Sequence, residues 1–178
     1  MKFCLDSTII KPENDIETKY AIILLHGYGG DGEDISMLAL NWKRYMPNTV
    51  FICPNGHEPC AINPTGYQWF DLTKEDSEYI LDQSIKAENV LKKFISEVKK
   101  EFKLFNNQIC LLGFSQGCMM SLNIGLTTEE KFSCIVGFSG KIINQIDLKN
   151  RIKNNTETLL IHGEADQIVP STHLLEAK

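Results

Sequence analysis

The chain has 178 residues, a length typical of one domain, and 43% of them are hydrophobic, which is ample for a core. A formal net charge of −5 argues against nucleic acid as the main partner, because affinity for phosphate backbones comes from clustered Lys and Arg. No run approaches the roughly 18 apolar residues of a membrane span, and none of the six cysteines forms a C-x-x-C pair, so a cytoplasmic protein with reduced thiols is expected.

Short apolar runs without alternation predict strands that are covered on both faces of a sheet. In chain order these runs are residues 21–25, 49–53, 109–112, 134–138 and 158–161. Periodicity of three and four residues predicts helices over residues 34–44, 74–102 and 116–126, and another helix that begins near Pro170. The alternation predicts one α/β domain over residues 1–178, with a doubly wound, mostly parallel sheet and helices on both faces.

Residues 54–71 carry three prolines and two glycines, so they are predicted to form a loop. Loops at strand ends of such sheets commonly carry function. The first predicted strand is followed by another flexible segment, His26-Gly27-Tyr28-Gly29-Gly30. Because this segment lacks Gly-Lys-Ser/Thr and G-x-G-x-x-G, a phosphate-binding loop is disfavoured.

The motif Gly113-Phe114-Ser115-Gln116-Gly117 lies between a predicted strand and a predicted helix. A nucleophile elbow requires this context, in which the serine occupies a strained turn and the glycines admit close backbone approach. An ordinary tight turn is the alternative interpretation. With Ser115 as nucleophile, the backbone N–H groups of Tyr28 and Gln116 are expected to hold the oxyanion of a tetrahedral intermediate.

Asp166 lies in a turn after the last predicted strand and downstream of Ser115. This position fits the acid of a catalytic triad, which orients and stabilises an imidazolium. Asp is also a common turn residue, so the chain order carries the assignment. His26 and His162 are interpreted as structural rather than catalytic.

Six blocks of the sequence together resemble the phospholipase/carboxylesterase family, which includes acyl-protein thioesterases and bacterial carboxylesterases. The resemblance covers the chain from about residue 20 to its end, with the blocks in family order. The blocks are Leu25-His26-Gly27-Tyr28-Gly29-Gly30, Pro54-Asn55-Gly56, Gln68-Trp69-Phe70-Asp71, Gly113-Phe114-Ser115-Gln116-Gly117, Phe138-Ser139-Gly140 and His162-Gly163-Glu164-Ala165-Asp166-Gln167-Ile168-Val169-Pro170.

The resemblance implies an α/β-hydrolase fold and a serine hydrolase of carboxylic esters or thioesters. It gives the same roles to Ser115, Asp166 and the two oxyanion donors, and it places Trp69 and Phe70 beside the acyl pocket. Core packing is the alternative for both aromatic residues. The expected partner is a small acyl ester or thioester, without nucleic acid, stable membrane insertion, cofactor or metal, and a homodimer is left open.

The order Ser, acid, His along the chain places the catalytic histidine on a loop after the next strand. Only 12 residues follow Asp166 in this chain of 178, and a crossover to another parallel strand itself needs about a dozen or more. His173, at a predicted helix start, is disfavoured as the base. The last helix–strand unit is therefore expected to be missing. The sequence would then be a fragment of a longer enzyme, the product of an interrupted gene, or one half of a split enzyme.

Two alternatives to a carboxylic ester or thioester hydrolase follow from these patterns. Without a base, the chain would be catalytically silent and at most an acyl-binding or interaction module. Chemistry like that of dienelactone hydrolases is a rival within enzymes, but a Cys nucleophile is expected there and Ser115 argues against it.

Overall fold

The computed structural model describes residues 2–13 and 16–177, in which eight strands and five α-helices occur. The strands are β1 (Ser7–Ile10), β2 (Tyr20–Leu25), β3 (Thr49–Pro54), β4 (Glu58–Pro59), β5 (Tyr67–Gln68), β6 (Ile109–Phe114), β7 (Cys134–Phe138) and β8 (Thr158–Ile161). The helices are α1 (Gly32–Trp42), α2 (Ser77–Phe102), α3 (Gln116–Thr127), α4 (Gln145–Arg151) and α5 (Thr172–Glu176).

Six strands form the main sheet in the order β1-β3-β2-β6-β7-β8. Only β1 runs antiparallel to its neighbour, and the four pairings from β3 to β8 are parallel. In the centre, Ile23 of β2 lies opposite Ile52 on one side and Leu111 on the other. The predicted α/β class with a mostly parallel sheet is confirmed, as are all five predicted strands.

The sequence did not predict three short strands. β1 has only four residues, all half-buried, so it lacks the continuous burial that marks the central strands. β4 and β5 form an antiparallel hairpin of two residues on each side within the predicted loop 54–71. Elements this short leave no readable periodicity in the sequence.

The starts of α1 and α2 are fixed by aspartate caps. The Asp31 carboxylate accepts from the Asp34 N–H at 2.8 Å, so α1 begins two residues before the predicted start. The Asp76 carboxylate accepts from the Tyr79 N–H at 2.7 Å, and α2 begins at Ser77 instead of residue 74. Such caps satisfy backbone donors that the first turn of a helix leaves without partners.

Helices cover the two faces of the sheet unequally. On one face α2 and α3 pack against the central strands, and the long apolar stripe of α2 includes Leu91, Phe94 and Val98. On the other face α1 packs through Ile35 and Ala39 against β2 and β3. Among the described residues, no helix combines the length and apolar character needed to cross a membrane.

A buried carboxylate joins three helices on the more heavily covered face. The side chain of Glu88 in α2 is only 3% exposed, and it accepts from Lys92 Nζ at 2.6 Å and Arg151 Nη1 at 3.0 Å. Thr127 Oγ1 of α3 also donates to it, at 3.2 Å. Burying a charge is costly unless it is paired, so these partners allow a charged residue inside the packing of α2, α3 and α4.

Candidate active site

Ser115 stands at the junction between β6 and α3 in a backbone conformation that non-glycine residues seldom adopt. Its φ is 51° and its ψ is −113°. Its N–H donates to the carbonyl oxygen of Phe138 at 2.8 Å, and its own carbonyl accepts from the Met119 N–H at 3.2 Å. The adjacent strand and the first turn of α3 thus hold the serine in a strained conformation, as a nucleophile elbow requires.

The two glycines of the motif make room for this turn. A Cβ on Gly113 would lie 2.2 Å from the carbonyl group of Gly117, and a Cβ on Gly117 would lie 2.0 Å from the carbonyl oxygen of Leu25. Both contacts are with backbone atoms, which cannot rotate away as the end of a side chain can. The close approach of β2, β6 and α3 therefore requires glycine at both positions.

Gln116 is fully buried and uses its side chain to fix the neighbouring loop. Its Oε1 accepts from the Trp69 N–H at 2.9 Å, and its Nε2 donates to the Phe70 carbonyl at 2.6 Å. As the first residue of α3, it has a backbone N–H without an acceptor in the helix. This N–H is available for a ligand at the helix N-terminus, where the dipole favours negative charge.

The turn after β2 brings Tyr28 next to the elbow. Gly29, with a φ of 79°, donates its N–H to the Tyr67 carbonyl at 2.9 Å, and the Tyr67 N–H donates to Gly30 at 2.8 Å. Asn63 Nδ2 also donates to the Gly29 carbonyl, at 2.7 Å. The turn is therefore fastened to the loop that contains β4 and β5, so the position of Tyr28 is well defined.

A cavity of about 510 Å³ lies against the elbow. Tyr28, Phe70, Ser115 and Gln116 all contribute to its wall, so the fold brings together four of the six predicted site residues. Much of the remaining wall is apolar, including Leu72, Ile80, Met119, Ile143, Ile168 and Val169. This composition suits an apolar group placed next to the serine.

The other predicted pocket residue, Trp69, is fully buried and does not line this cavity. Its indole N–H donates to the His26 carbonyl at 2.9 Å, and the two rings lie 5.1 Å apart between centroids. Trp69 therefore packs against His26, at the start of the turn that contains Tyr28. The interpretation as core packing describes its position, whereas Phe70 forms part of the cavity wall.

Asp166 follows β8 in a turn that stabilises its ionised form. Its Oδ1 accepts from the Val169 N–H at 2.9 Å and the Ile168 N–H at 3.0 Å. These bonds, with a smaller contribution from the Ser139 side chain, lower the pKa of Asp166 below its usual value. Asp166 does not itself line the cavity, but Ile168 and Val169, whose N–H groups donate to it, both do. The carboxylate therefore lies beside the cavity.

Ser139 is a residue of this site to which the sequence analysis gave no role. It has a φ of 49°, and its N–H donates to the Ile161 carbonyl at 3.0 Å. It thus joins the ends of β7 and β8 next to Asp166. Its place in the Phe138-Ser139-Gly140 block was the available signal, but the sequence does not reveal the positive φ.

None of the four histidines lines the Ser115 cavity in the described part of the chain. His162 has a ring nitrogen 2.6 Å from the Val169 carbonyl and 3.6 Å from Asp166 Oδ2. His173 Nδ1 lies 2.7 Å from the Glu176 carboxylate on α5. These contacts agree with a structural role for His162 and do not place His173 at the nucleophile.

Comparisons with known proteins connect this geometry with a family. The model of the Phospholipase/Carboxylesterase family matches residues 6–178. Acyl-protein thioesterase 1 of Emericella nidulans is 32% identical over an alignment of 167 positions, and the alignment covers 84% of this chain and 70% of that protein. Acyl-protein thioesterase 1 of Schizosaccharomyces pombe is 28% identical over an alignment of 179 positions, and the alignment covers 94% of this chain and 76% of that protein.

Solved structures agree with these matches. The crystal structure of esterase PE8 is 35% identical with a TM-score of 0.92, over 97% of this chain and 81% of that chain. Acyl-protein thioesterase 2 of Zea mays, at 22% identity and a TM-score of 0.71 over 96% of this chain and 81% of that chain, has the same fold. The chain therefore belongs to the phospholipase/carboxylesterase family, an α/β-hydrolase family of ester and thioester hydrolases.

Proposed function

We propose that Ser115 forms an acyl-enzyme with a carboxylic ester or thioester. Its Oγ bonds to the acyl carbon, the alcohol or thiol leaves with a proton, and water then releases the acid and regenerates the hydroxyl. The observation that carries the proposal is the strained position of Ser115 at the wall of an apolar cavity. Strain of this kind persists where the surrounding structure fixes it, and it clusters at active sites.

The backbone N–H groups of Gln116 and Tyr28 are proposed to stabilise the oxyanion. Both residues line the Ser115 cavity, and Gln116 opens α3. Donors that are fixed before the reaction stabilise charge that develops only in the tetrahedral intermediate. The hydrogen bonds of Gln116 to the Trp69–Phe70 backbone keep the start of α3 in place for this role.

The cavity favours a substrate whose acyl group is apolar. Its wall is largely apolar, with Phe70 and Met119 close to the elbow in the fold. Lys141 and Glu75 are the charged side chains in the wall, and both are exposed. We propose that the acyl chain occupies the apolar part while the leaving group extends toward these two side chains.

Asp166 is the proposed acid that orients an imidazole, since its hydrogen bonds keep it ionised. No histidine lines the cavity within the described residues, and this favours a second candidate function. In that alternative the chain binds acyl groups without turning them over, because a serine without a base is a weak nucleophile.

The test uses the 178-residue protein with p-nitrophenyl octanoate and a fluorophosphonate probe. The hydrolase function predicts ester hydrolysis and covalent labelling that Ser115→Ala abolishes and that Ser96→Ala, at an exposed serine of α2, leaves unchanged. Loss of hydrolysis in His173→Ala as well would identify that residue as the base. Octanoate binding without hydrolysis or labelling would support the acyl-binding function, and absence of all three would overturn both.

A further inference from the structure

A pair of thiols lies on the main sheet, outside the cavity that Ser115 lines. Cys110 of β6 and Cys134 of β7 are register partners on adjacent parallel strands, so their side chains leave the same face side by side. Both are free and partly exposed. They line a second cavity of about 510 Å³ whose wall also includes Trp42, Val136 and Leu159.

The spacing of the two strands favours a bridge of one atom over a direct disulfide. Neighbouring strands lie about 4.8 Å apart, and the Cβ atoms of side chains that leave them side by side have about the same separation. The Cβ atoms of a disulfide lie closer, about 3.8 Å apart. Closing a disulfide would therefore draw β6 and β7 together within a continuous parallel ladder. A single thiophilic atom between the sulfurs leaves the strands at their normal spacing.

The two neighbouring thiols also differ in acidity. The neighbouring Cys110 thiol lowers the pKa of Cys134, whereas the Cys134 sulfur together with burial raises the pKa of Cys110. The thiolate is the nucleophilic form of cysteine. Two other cysteines differ, because burial raises the pKa of Cys53 and of Cys118 to about 12.

The geometry limits which ligand fits this pair. Structural zinc takes four ligands, and the described residues contain no cluster of three or more His, Cys, Asp or Glu that could hold a metal ion. A two-coordinate copper(I) ion prefers sulfurs on opposite sides, but these side chains rise from the same face. Trivalent arsenic forms a pyramidal centre that takes two sulfurs from one side and carries an organic group on the other.

We propose that Cys110 and Cys134 form a dithiol site for monosubstituted trivalent arsenicals. An arylarsine oxide loses its oxygen as two arsenic–sulfur bonds form, and the two thiol hydrogens leave with that oxygen as one water molecule. Arsenic stays trivalent, so no oxidant or reductant is consumed. The apolar wall beside the thiols receives the aryl group.

The test incubates the 178-residue protein with phenylarsine oxide in excess glutathione and follows the intact mass. We expect one phenylarsenic group per chain, retained against glutathione and removed by 2,3-dimercaptopropanol. Because the second arsenic–sulfur bond forms within one molecule, Cys110→Ser and Cys134→Ser should each weaken retention about a hundredfold or more. Cys4→Ser, at an exposed cysteine, serves as the matched control and should retain the group.

Thermal unfolding of each variant separates loss of the site from loss of the fold. Retention by a folded Cys110→Ser or Cys134→Ser protein would overturn the proposal, as would failure of the folded wild-type chain to take the arsenical. If both variants unfold, the wild-type adduct is digested and the modified peptides are identified. A bridge between the peptides of residues 110 and 134 then supports the site, and any other attachment overturns it.

Discussion

At the level of single residues, the elbow depends on how closely three backbone segments approach each other. A Cβ on residue 117 would lie 2.0 Å from the carbonyl oxygen of Leu25, and Gly117 is the second residue of α3. The same glycine permits the strained φ of Ser115 by leaving the helix start close to β2. Packing of the sheet and exposure of the nucleophile thus rest on the same position.

We therefore expect Gly117→Ala to lower the free energy of unfolding by about 3 kcal/mol or more, since its clash is with backbone and must displace β2 or α3. Gly163→Ala is the matched control, because a Cβ there meets nothing within 4 Å and the change should stay within about 0.5 kcal/mol. Urea unfolding followed by circular dichroism measures both. Equal stability of the two variants would contradict the close approach.

At the level of elements, a neutral histidine connects the segments after β2 and β3. His26 Nε2 accepts from the Gly56 N–H at 2.9 Å, so the proton lies on Nδ1, which is 2.7 Å from the Gly27 carbonyl. Burial lowers the pKa of His26 below its ordinary value. Protonation of Nε2 would break the bond to Gly56 and place an unpaired charge inside the loop cluster.

The pH dependence of stability follows from this shift. The unfolded chain takes up a proton near pH 6.5 while the folded chain resists it, so stability is complete above that pH and falls as pH decreases. One such group contributes at most about 1.4 kcal/mol per pH unit. We expect urea unfolding between pH 7.5 and 5 to show this decline.

Two variants show which histidine causes the decline of stability at low pH. His26→Gln does not titrate, so its stability should be lower at pH 7.5 but should decline less toward pH 5. The pKa of His57 is also lowered by burial, and His57→Gln should remove only the separate contribution of that residue. An unchanged slope in His26→Gln would show that the bond between the two loops is insensitive to protonation.

The sequence predicted those elements whose burial is visible in local composition. Strands β2, β3, β6, β7 and β8 are apolar runs, and the elbow has a specific spacing next to one of them. The positions of Trp69 and of the thiol pair were not predictable, because they depend on contacts between distant segments. Gln116 reaches Trp69 across 47 positions, and the Cys110–Cys134 contact depends on strand register.

At the level of the whole molecule, the sheet has a covered face and a partly uncovered one. On the face shared with α1, β8 exposes Leu159 at 56% and Ile161 at 44%, and Phe114 of β6 is 50% exposed. β8 is also an edge strand of the main sheet, and its four residues carry no charge or proline. Edge strands without such protection are templates for pairing with another chain.

We therefore expect the 178-residue protein to self-associate with increasing concentration, with Leu159→Lys reducing the effect because it places a charge on the exposed edge. Ile146→Lys is the matched control, since Ile146 is 77% exposed but belongs to α4 and lies outside this edge. Sedimentation velocity over a concentration series measures the association. A wild-type chain that stays monomeric throughout, or equal effects of the two lysine variants, would show that the apolar edge does not drive pairing.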